Sequence, residues 1–350
     1  MSKIRQMVKS EKGMVSFLIT MIMMIVISLI VVGFTQVANR NRRETLDRQL
    51  STQAFYAAES GVNDAATKIH QAQTLGNPVA TQTECTGGTY LNSSADGNLN
   101  SDGSVKYTCV LVNPLVPNLV TRADTQSSSV LSINPTDAGG GEQTASSLTF
   151  TWSPATGQTG DVNTCTTISS FPTTGSNTCP YALLRVDLMV GTVALGDSPA
   201  GLNDKTVTFF MQPIHSGSGH MNLGGLAPQK AYVVAANCGT TTCSVTIKFT
   251  ESTTQSQHYY ARISTLYRDS PNVTVDGEYT GGSTWFKDAQ AIVDVTGKAQ
   301  DVLRRVQVRV RLQDLDRSNV PNAAVQSSGN VCKRFAVYPG NYTEPEHCGD

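Results

Sequence analysis

A long apolar run lies near the N-terminus of the chain. Residues 14–34 read MVSFLITMIMMIVISLIVVGF, and no charged residue occurs between Lys12 and Arg40. As a helix rising about 1.5 Å per residue, this uncharged stretch is longer than the ~30 Å hydrocarbon core of a bilayer. A secretory signal peptide is the rival interpretation, but it would have a shorter apolar core and a small-x-small cleavage site, which residues 36–39 (QVAN) do not provide. The pattern predicts one membrane-spanning helix, with the span in residues 14–36.

Helical periodicity continues beyond the apolar run. Residues 40–71 contain no proline, and Gly61 is their only glycine. Small and apolar residues recur there at helical spacing; they are Leu46, Leu50, Ala54, Ala57, Gly61 and Ala65. We therefore expect one continuous helix from about Met14 to His70, on the order of 85 Å long, within a helical region at residues 14–72. A short juxtamembrane helix is the alternative.

After about residue 73 the pattern changes to short β-rich runs between clusters of Gly, Asn, Ser and Thr. The predicted strands are residues 105–112, 147–152, 182–189, 206–212, 230–236, 244–250, 259–267, 289–295 and 302–312. The last is the clearest, because Val306, Val308, Val310 and Leu312 alternate with Arg305, Gln307, Arg309 and Arg311. Such alternation is typical of an antiparallel strand with one buried face. Residues 294–299 are predicted to form the hairpin turn before it.

These patterns predict an α+β fold, in which the long helix precedes a disulfide-containing, antiparallel β-rich domain at residues 73–350. Residues 113–180 are rich in Ser, Thr and Gly, and we interpret them as an insertion or a boundary between two lobes. The formal net charge of -1 gives no general attraction to nucleic acid.

The cysteines add information about the compartment. All eight follow the apolar run, in four sequential pairs; they are Cys85, Cys109, Cys165, Cys179, Cys238, Cys243, Cys332 and Cys348. An even number beyond a membrane segment favours disulfides and an oxidising compartment, although 105 pairings are possible and free buried thiols are the alternative. Because basic residues on the two sides of the run nearly balance, the cysteines decide the orientation. We expect a cytoplasmic N-terminus at residues 1–13 and an exported domain, in a surface filament or at the membrane.

Two segments near the N-terminus resemble the type IV pilin family. Residues 11–18 (EKGMVSFL) resemble the processing site of type IV prepilins, in which a basic leader ends in Gly before a long apolar helix. Residues 48–62 (RQLSTQAFYAAESGV) resemble the minor pilin group named after the PilX N-terminal region. The resemblance implies that a membrane prepilin peptidase cuts between Gly13 and Met14, beside the basic Lys12, and that the new N-terminus is methylated. It covers about the first 70 residues.

The resemblance also implies partners and a role. Leu18 occupies the fifth position of the processed chain, where most major pilins have Glu. This departure disfavours a main filament subunit and favours a minor pilin or pseudopilin that primes or caps a type IV pilus-like filament. The implied partners are other pilin-like subunits through the N-terminal helix, the prepilin peptidase and the pilus assembly platform. The late hairpin resembles the one that closes the sheet of minor pilins, and Cys332 and Cys348 bracket the tail as a C-terminal disulfide loop does in many pilins.

A few segments offer candidate chemistry. Asp96, Asn98, Asn100 and Asp102 have the alternation of a calcium loop, and some large tip pseudopilins bind calcium. The twelfth position is Tyr107 instead of Glu, so a polar turn explains the segment better, and no other cofactor is expected. His215 and His220 lack an identifiable third metal ligand. Arg305, Arg309 and Arg311 form a row that fits a solvated strand face better than a DNA-binding surface.

Two other functions compete with the pilin role. The large exported part favours a tip adhesin or a surface binding module that recognises a host or surface ligand and uses the helix as its anchor. An exported enzyme on a membrane anchor ranks last, because no Gly-x-Ser-x-Gly elbow, Walker loop or dinucleotide fingerprint occurs in the sequence.

Overall fold

A computed structural model describes residues 11–155, 157, 162–165, 179–191, 205–224, 231–251 and 254–312, with the side chains of residues 11–15 and 271 left out. It confirms the α+β fold, because one long apolar helix precedes a large, mainly antiparallel β-rich part with disulfides. The elements are α1 (Glu11–Thr74), β1 (Val105–Val116), β2 (Leu119–Ala123), β3 (Ser129–Ile133), β4 (Pro135–Thr136), β5 (Ser147–Trp152), β6 (Leu183–Val190), β7 (Thr206–His215), β8 (His220–Leu223), β9 (Ala231–Cys238), β10 (Cys243–Phe249), β11 (Tyr259–Leu266), β12 (Ser270–Tyr279), β13 (Gly282–Ser283), β14 (Trp285–Ala299) and β15 (Val302–Arg311).

Helix α1 is continuous and extends four residues beyond the predicted end at His70. Its last turn is closed by two backbone bonds: the Gly76 N–H donates to the Gln73 carbonyl (3.0 Å) and the Asn77 N–H to the Ala72 carbonyl (2.9 Å). This pair of bonds is the Schellman motif, which satisfies carbonyls that the end of a helix leaves without partners. The chain therefore stops being helical here for a local reason.

The chain divides into two compact units. Unit 1 consists of residues 1–114 and 291–310, and unit 2 of residues 115–290 and 311–350. Unit 1 contains helix α1 and a sheet with the strand order β1-β14-β15, so β15 is an edge strand of that sheet. The second half of α1 packs on this sheet, and the first half does not.

The predicted position of the last hairpin turn is wrong. Residues 294–299 belong to strand β14, and the turn is Gln300-Asp301. Gln300 has a φ of 53° and donates its N–H to the Ser104 carbonyl at 2.8 Å. Gly297 misled the prediction, because a glycine beside polar residues is typical of a turn; here it serves close packing instead.

Strand β15 keeps the predicted alternation but is less buried than expected. Its arginines and Gln307 are exposed, whereas Val306, Val308 and Val310 are half-buried. Of the four apolar residues in the pattern, Leu312 alone is buried, at 4% exposure. The alternation therefore separates two faces of β15 that differ in exposure, although neither face is fully buried.

Unit 2 is built on an eleven-stranded sheet. Its order is β13-β12-β5-β10-β9-β7-β6-β11-β3, with β2 also paired to β12 and β8 to β10. Most pairs are antiparallel, but β7 pairs with β9 in parallel, and β8 pairs with β10 in parallel. Large side chains fill the core of this unit and are less than 2% exposed; they include Trp152, Phe150, Phe209, Tyr259 and Tyr181.

The sheet curls until its two ends are linked by a short connection. Strand β2 pairs with β12 near one end of the sheet, and β3 pairs with β11 at the other. Only residues 124–128 join β2 to β3. Asp124 orders this connection, because its carboxylate accepts bonds from the Gln126 and Ser127 N–H groups and from the Ser127 hydroxyl, which lower its pKa. The segment 113–180 thus supplies strands β2, β3 and β5 to the sheet of unit 2.

Among the residues that the structure describes, three disulfides join cysteines that follow each other in the sequence. They are Cys85–Cys109, Cys165–Cys179 and Cys238–Cys243. The third crosses the hairpin of β9 and β10, where the two cysteines are also direct strand partners. Cys332 and Cys348 lie outside the described residues.

Unit 2 contains a buried carboxylate shared by three strands. Asp187 on β6 accepts from Arg262 on β11 (2.6 and 2.8 Å), from Arg185 (3.1 Å) and from the Thr208 hydroxyl on β7 (2.7 Å). The Asp187 side chain is 3% exposed, compared with 21% for Arg262 and 40% for Arg185. All of its partners are hydrogen-bond donors, so the charge is compensated where it is buried.

We expect Asp187→Ala to lower the free energy of unfolding of unit 2 by about 3 kcal/mol, because it removes the buried carboxylate that accepts two hydrogen bonds from Arg262. The matched change Arg185→Gln should cost less than about 1 kcal/mol, since this partner is far more exposed. Urea unfolding followed by the fluorescence of Trp152 and Trp285, both in unit 2, measures the two effects. Equal losses for the two variants would contradict this account.

Candidate functional site

The first half of helix α1 is the largest exposed apolar surface of the described residues. We call residues 16–37 the apolar segment. Its large apolar side chains are all at least 44% exposed, and Phe17 and Met24 reach 72%. Soluble proteins rarely expose a continuous apolar surface of this size. The segment therefore requires lipid or other apolar surfaces around it.

The polar groups inside the apolar segment are compatible with a bilayer. The Thr20 hydroxyl donates to the Phe17 carbonyl (2.9 Å), and the Thr35 hydroxyl to the Val31 carbonyl (2.7 Å). Backbone groups are satisfied within the helix, as lipid demands. The most apolar stretch of α1 is not buried against any other part of the described chain. By length and composition, α1 is a candidate membrane span or signal sequence.

The second half of α1 packs on the sheet of unit 1 through a stripe of small residues. We call residues 54–69 the packed segment. Ala54, Ala57 and Ala58 are 0% exposed, Ala65 is 1% exposed and Ile69 is 0% exposed. These residues recur on one face of the helix, and their small side chains let a strand approach closely.

Two glycines make the closest approach possible. A Cβ on Gly297 of β14 would lie 2.1 Å from the Ala54 carbonyl oxygen and 2.4 Å from the Ala58 nitrogen. A Cβ on Gly61 would lie 2.8 Å from the Tyr107 ring and 2.8 Å from the Val295 side chain. Neither position has room for a side chain. At Gly297 the strand meets the backbone of the helix directly, and at Gly61 two side chains of the sheet reach the helix backbone.

A polar cluster fixes the orientation of the packed segment. The Tyr107 hydroxyl of β1 donates to the Asp64 carboxylate at 2.8 Å, and Lys68 donates to the Tyr90 carbonyl at 2.9 Å. Lys68 and Asp64 also form an ion pair of 3.7 Å. Partial burial, followed by the hydrogen bond to Asp64, raises the pKa of Tyr107 to about 12. Directional bonds of this kind prevent the helix from rotating or sliding on a surface of small residues.

The pattern AFYAAESG in residues 54–61 divides between two faces of the helix. Its alanines face the sheet, while Phe55 and Tyr56 are 47% and 60% exposed. The two rings contact each other edge to face, with centroids 5.9 Å apart. The motif that carries the family resemblance is thus also the packing surface of unit 1. Lys12, Gly13 and Met14 lie in the first turn of α1 as described.

The candidate calcium residues are used in closing turns. Asp96 accepts from the Ser93 N–H (2.9 Å), Asn100 accepts from the Val105 N–H (3.1 Å), and Asp102 accepts from the Ser104 N–H (3.1 Å). The bonds from Ser104 lower the pKa of Asp102. Asn98 is exposed, and its backbone bridges to Lys106. These bonds are what a turn rich in Asp and Asn needs to stabilise itself.

The histidines and the arginine row do not form a joint site. His215 ends β7, and His220 begins β8 with its ring nitrogen 2.8 Å from the Ser218 carbonyl. Among the residues that the structure describes, no three His, Cys, Asp or Glu side chains are grouped as metal ligands would be. Arg305 forms two bonds of 2.6 and 2.5 Å to Asp294, and Arg311 donates to Thr121 at 2.8 Å. Other side chains of the same chain thus already bind two arginines of the row.

Comparisons with known proteins add no relative: no family model, curated protein or solved structure matches the chain. The candidate site is therefore argued from its own geometry. That site is helix α1, with an apolar segment exposed on all sides and a packed segment fixed to the sheet.

Gly61→Ala tests the close packing of helix and sheet. The added methyl group meets Tyr107 and Val295, so we expect a net loss of about 1–2 kcal/mol after the helix-propensity gain of alanine. Amide hydrogen exchange in residues 54–69, read by mass spectrometry on the detergent-solubilised chain, should become about 5–30 times faster.

Gly33→Ala is the matched control, because this glycine lies in the same helix and nothing approaches its Cβ position within 4 Å. It should leave exchange in residues 54–69 unchanged. Similar exchange rates for the two variants would show that the packing around Gly61 is loose.

Tyr107→Phe tests the polar cluster through alkaline pH. The pKa of Tyr107 is raised in the folded chain, so its stabilising effect is complete below the unfolded value near pH 10 and is lost as pH rises through about 12. The variant should lose less thermal stability than the parent chain between pH 10 and 12. Circular dichroism melts measure this, with Tyr56→Phe on the exposed face of the same helix as control. A parallel decline for Tyr107→Phe and the parent would refute the assignment.

Proposed function

We propose that the chain is a minor pilin or pseudopilin that primes or caps a type IV pilus-like filament. A prepilin peptidase removes residues 1–13. The apolar segment then rests in the bilayer until an assembly platform extracts it into a bundle of similar helices. The β-rich units are displayed on the outer side.

One observation carries this proposal: a single helix joins a fully exposed apolar half to a half that is packed on a sheet. Extraction from lipid moves the apolar side chains into contact with neighbouring helices. These helices keep the side chains away from water as lipid did. The packed segment stays with its sheet during the transfer, because the two meet without room for rearrangement at Gly61 and Gly297. A subunit of this construction can change its surroundings without refolding.

The disulfides support an exported location for both units. Cys85–Cys109 lies in unit 1, and Cys165–Cys179 and Cys238–Cys243 lie in unit 2. Disulfides persist in oxidising compartments and are rare in the cytosol. An exported C-terminal part requires the N-terminus of a single span to stay in the cytoplasm, where prepilin peptidases act.

Leader removal is the direct test. Intact-mass measurement of the chain extracted from membranes that contain a prepilin peptidase should show loss of Met1–Gly13, with or without one added methyl group. Gly13→Leu should block the cut, whereas Ser10→Leu, inside the leader but away from the cleaved bond, should not. A parent chain that keeps its leader in such membranes would count decisively against pilin processing.

A tip adhesin is the second candidate. Its support is unit 2, which contains a complete eleven-stranded sheet and no residue of helix α1. A chain that only anchored itself through α1 would not need a unit of this size. Replacing residues 115–290 by a short linker keeps helix α1 and distinguishes the roles. Loss of adhesion with unchanged filament number would support surface binding by unit 2, whereas unchanged adhesion would count against it.

A further inference from the structure

Three arginines follow the apolar segment and lie within about one helical turn of each other. Arg40, Arg42 and Arg43 are exposed and form no ion pair with any residue that the structure describes. At about 100° per residue their Cα–Cβ bonds point to three different sides of α1. We call these three residues the arginine collar.

The remaining charges nearby do not neutralise the collar. Arg48 is paired with Glu44 at 2.6 Å, which leaves Asp47 as the nearest unpaired acid. Residues 40–48 contain four arginines and two acids, so their net charge is 4 − 2 = +2. The collar therefore keeps a net positive charge that an anion from outside the chain can bind.

The length of the uncharged helix places the collar at the level of lipid phosphates. Residues 13–39 carry no charge, which corresponds to roughly 40 Å of helix. This exceeds the ~30 Å hydrocarbon core and reaches into the headgroup layers, which bring the bilayer to about 40–45 Å. Guanidinium groups bind phosphate oxygens in a bidentate manner, and three directions allow several lipids to be contacted at once.

We propose that Arg40, Arg42 and Arg43 bind the headgroup phosphates of anionic phospholipids in the leaflet that faces the exported units. This inference rests on the proposed function only in requiring that the apolar segment spans a bilayer. It gives the collar a directional role. Inward sliding of the helix would draw the three charges of the collar into hydrocarbon. Outward movement requires the collar only to release headgroups, which is the easier step for these three residues.

Leader removal makes this asymmetry stronger. Before the cut, the inner end carries Lys3, Arg5, Lys9 and Lys12 against Glu11. Afterwards it keeps a single amino group, and the collar becomes the main charged anchor. The processed helix is then held against inward movement and remains free to be extracted outward.

Lipid selectivity tests the proposal on the full chain. The chain is reconstituted in phosphatidylcholine vesicles containing trace spin-labelled phosphatidylglycerol or phosphatidylcholine, and the immobilised fraction of each label is measured by electron paramagnetic resonance. We expect at least about a fivefold preference for phosphatidylglycerol, which is the contribution of one surface arginine. High salt should weaken this preference by screening.

Substitutions separate the collar from other charges. R40Q/R42Q/R43Q should lower the preference at least about fivefold and leave the part that the leader contributes. R40K/R42K/R43K should lower it less, because charge remains without bidentate geometry. The matched control R122Q/K248Q/K287Q removes three exposed cations of unit 2 and should change nothing. The leader is present in every variant, so its contribution cancels.

Two results would overturn the inference in distinguishable ways. An unchanged preference in R40Q/R42Q/R43Q, with lipid still immobilised around the helix, refutes the collar alone. If the parent chain immobilises neither labelled lipid, the apolar segment does not span the bilayer, and the membrane step of the proposed function fails with it.

Discussion

The close contact between helix α1 and strand β14 determines how unit 1 is organised. Because Gly297 lies almost on the backbone of Ala54 and Ala58, the helix can pack on the sheet in only one position. The hydrogen bonds of Asp64 and Lys68 fix the rotation of the helix in that position. As a result, the direction in which the apolar segment leaves the sheet is set by packing in the other half of the same helix.

This division of labour along one helix explains its unusual composition. The apolar segment has large side chains, because lipid or partner helices reward buried area wherever they contact it. The packed segment has small ones, because its partner is a fixed backbone at short distance. The change from one composition to the other falls around the charged residues 40–48, which belong to neither apolar environment.

Sequence patterns identified the elements whose own residues determine them. The apolar run gave the helix, and β5 was predicted at the residues where it lies, Ser147–Trp152. Strand β12 was missed because its sequence, SPNVTVDGEY, contains Pro and Gly, yet pairing with β2 and β5 holds it extended. The role of Gly297 was equally hidden, since a close approach depends on a partner distant in sequence. The exposed apolar surface of α1 was visible in the sequence for the opposite reason, because it has no partner among the described residues.

The curled sheet of unit 2 has a consequence for folding during synthesis. Thr121 of β2 pairs with Val273 of β12, so an early strand stays unpaired until most of the polypeptide has been made. Pairings this distant form slowly, and unpaired strands invite association between neighbouring copies. Because helix α1 is made before these strands, its insertion into a bilayer, as proposed, would hold each nascent copy at the membrane while the late strands are synthesised.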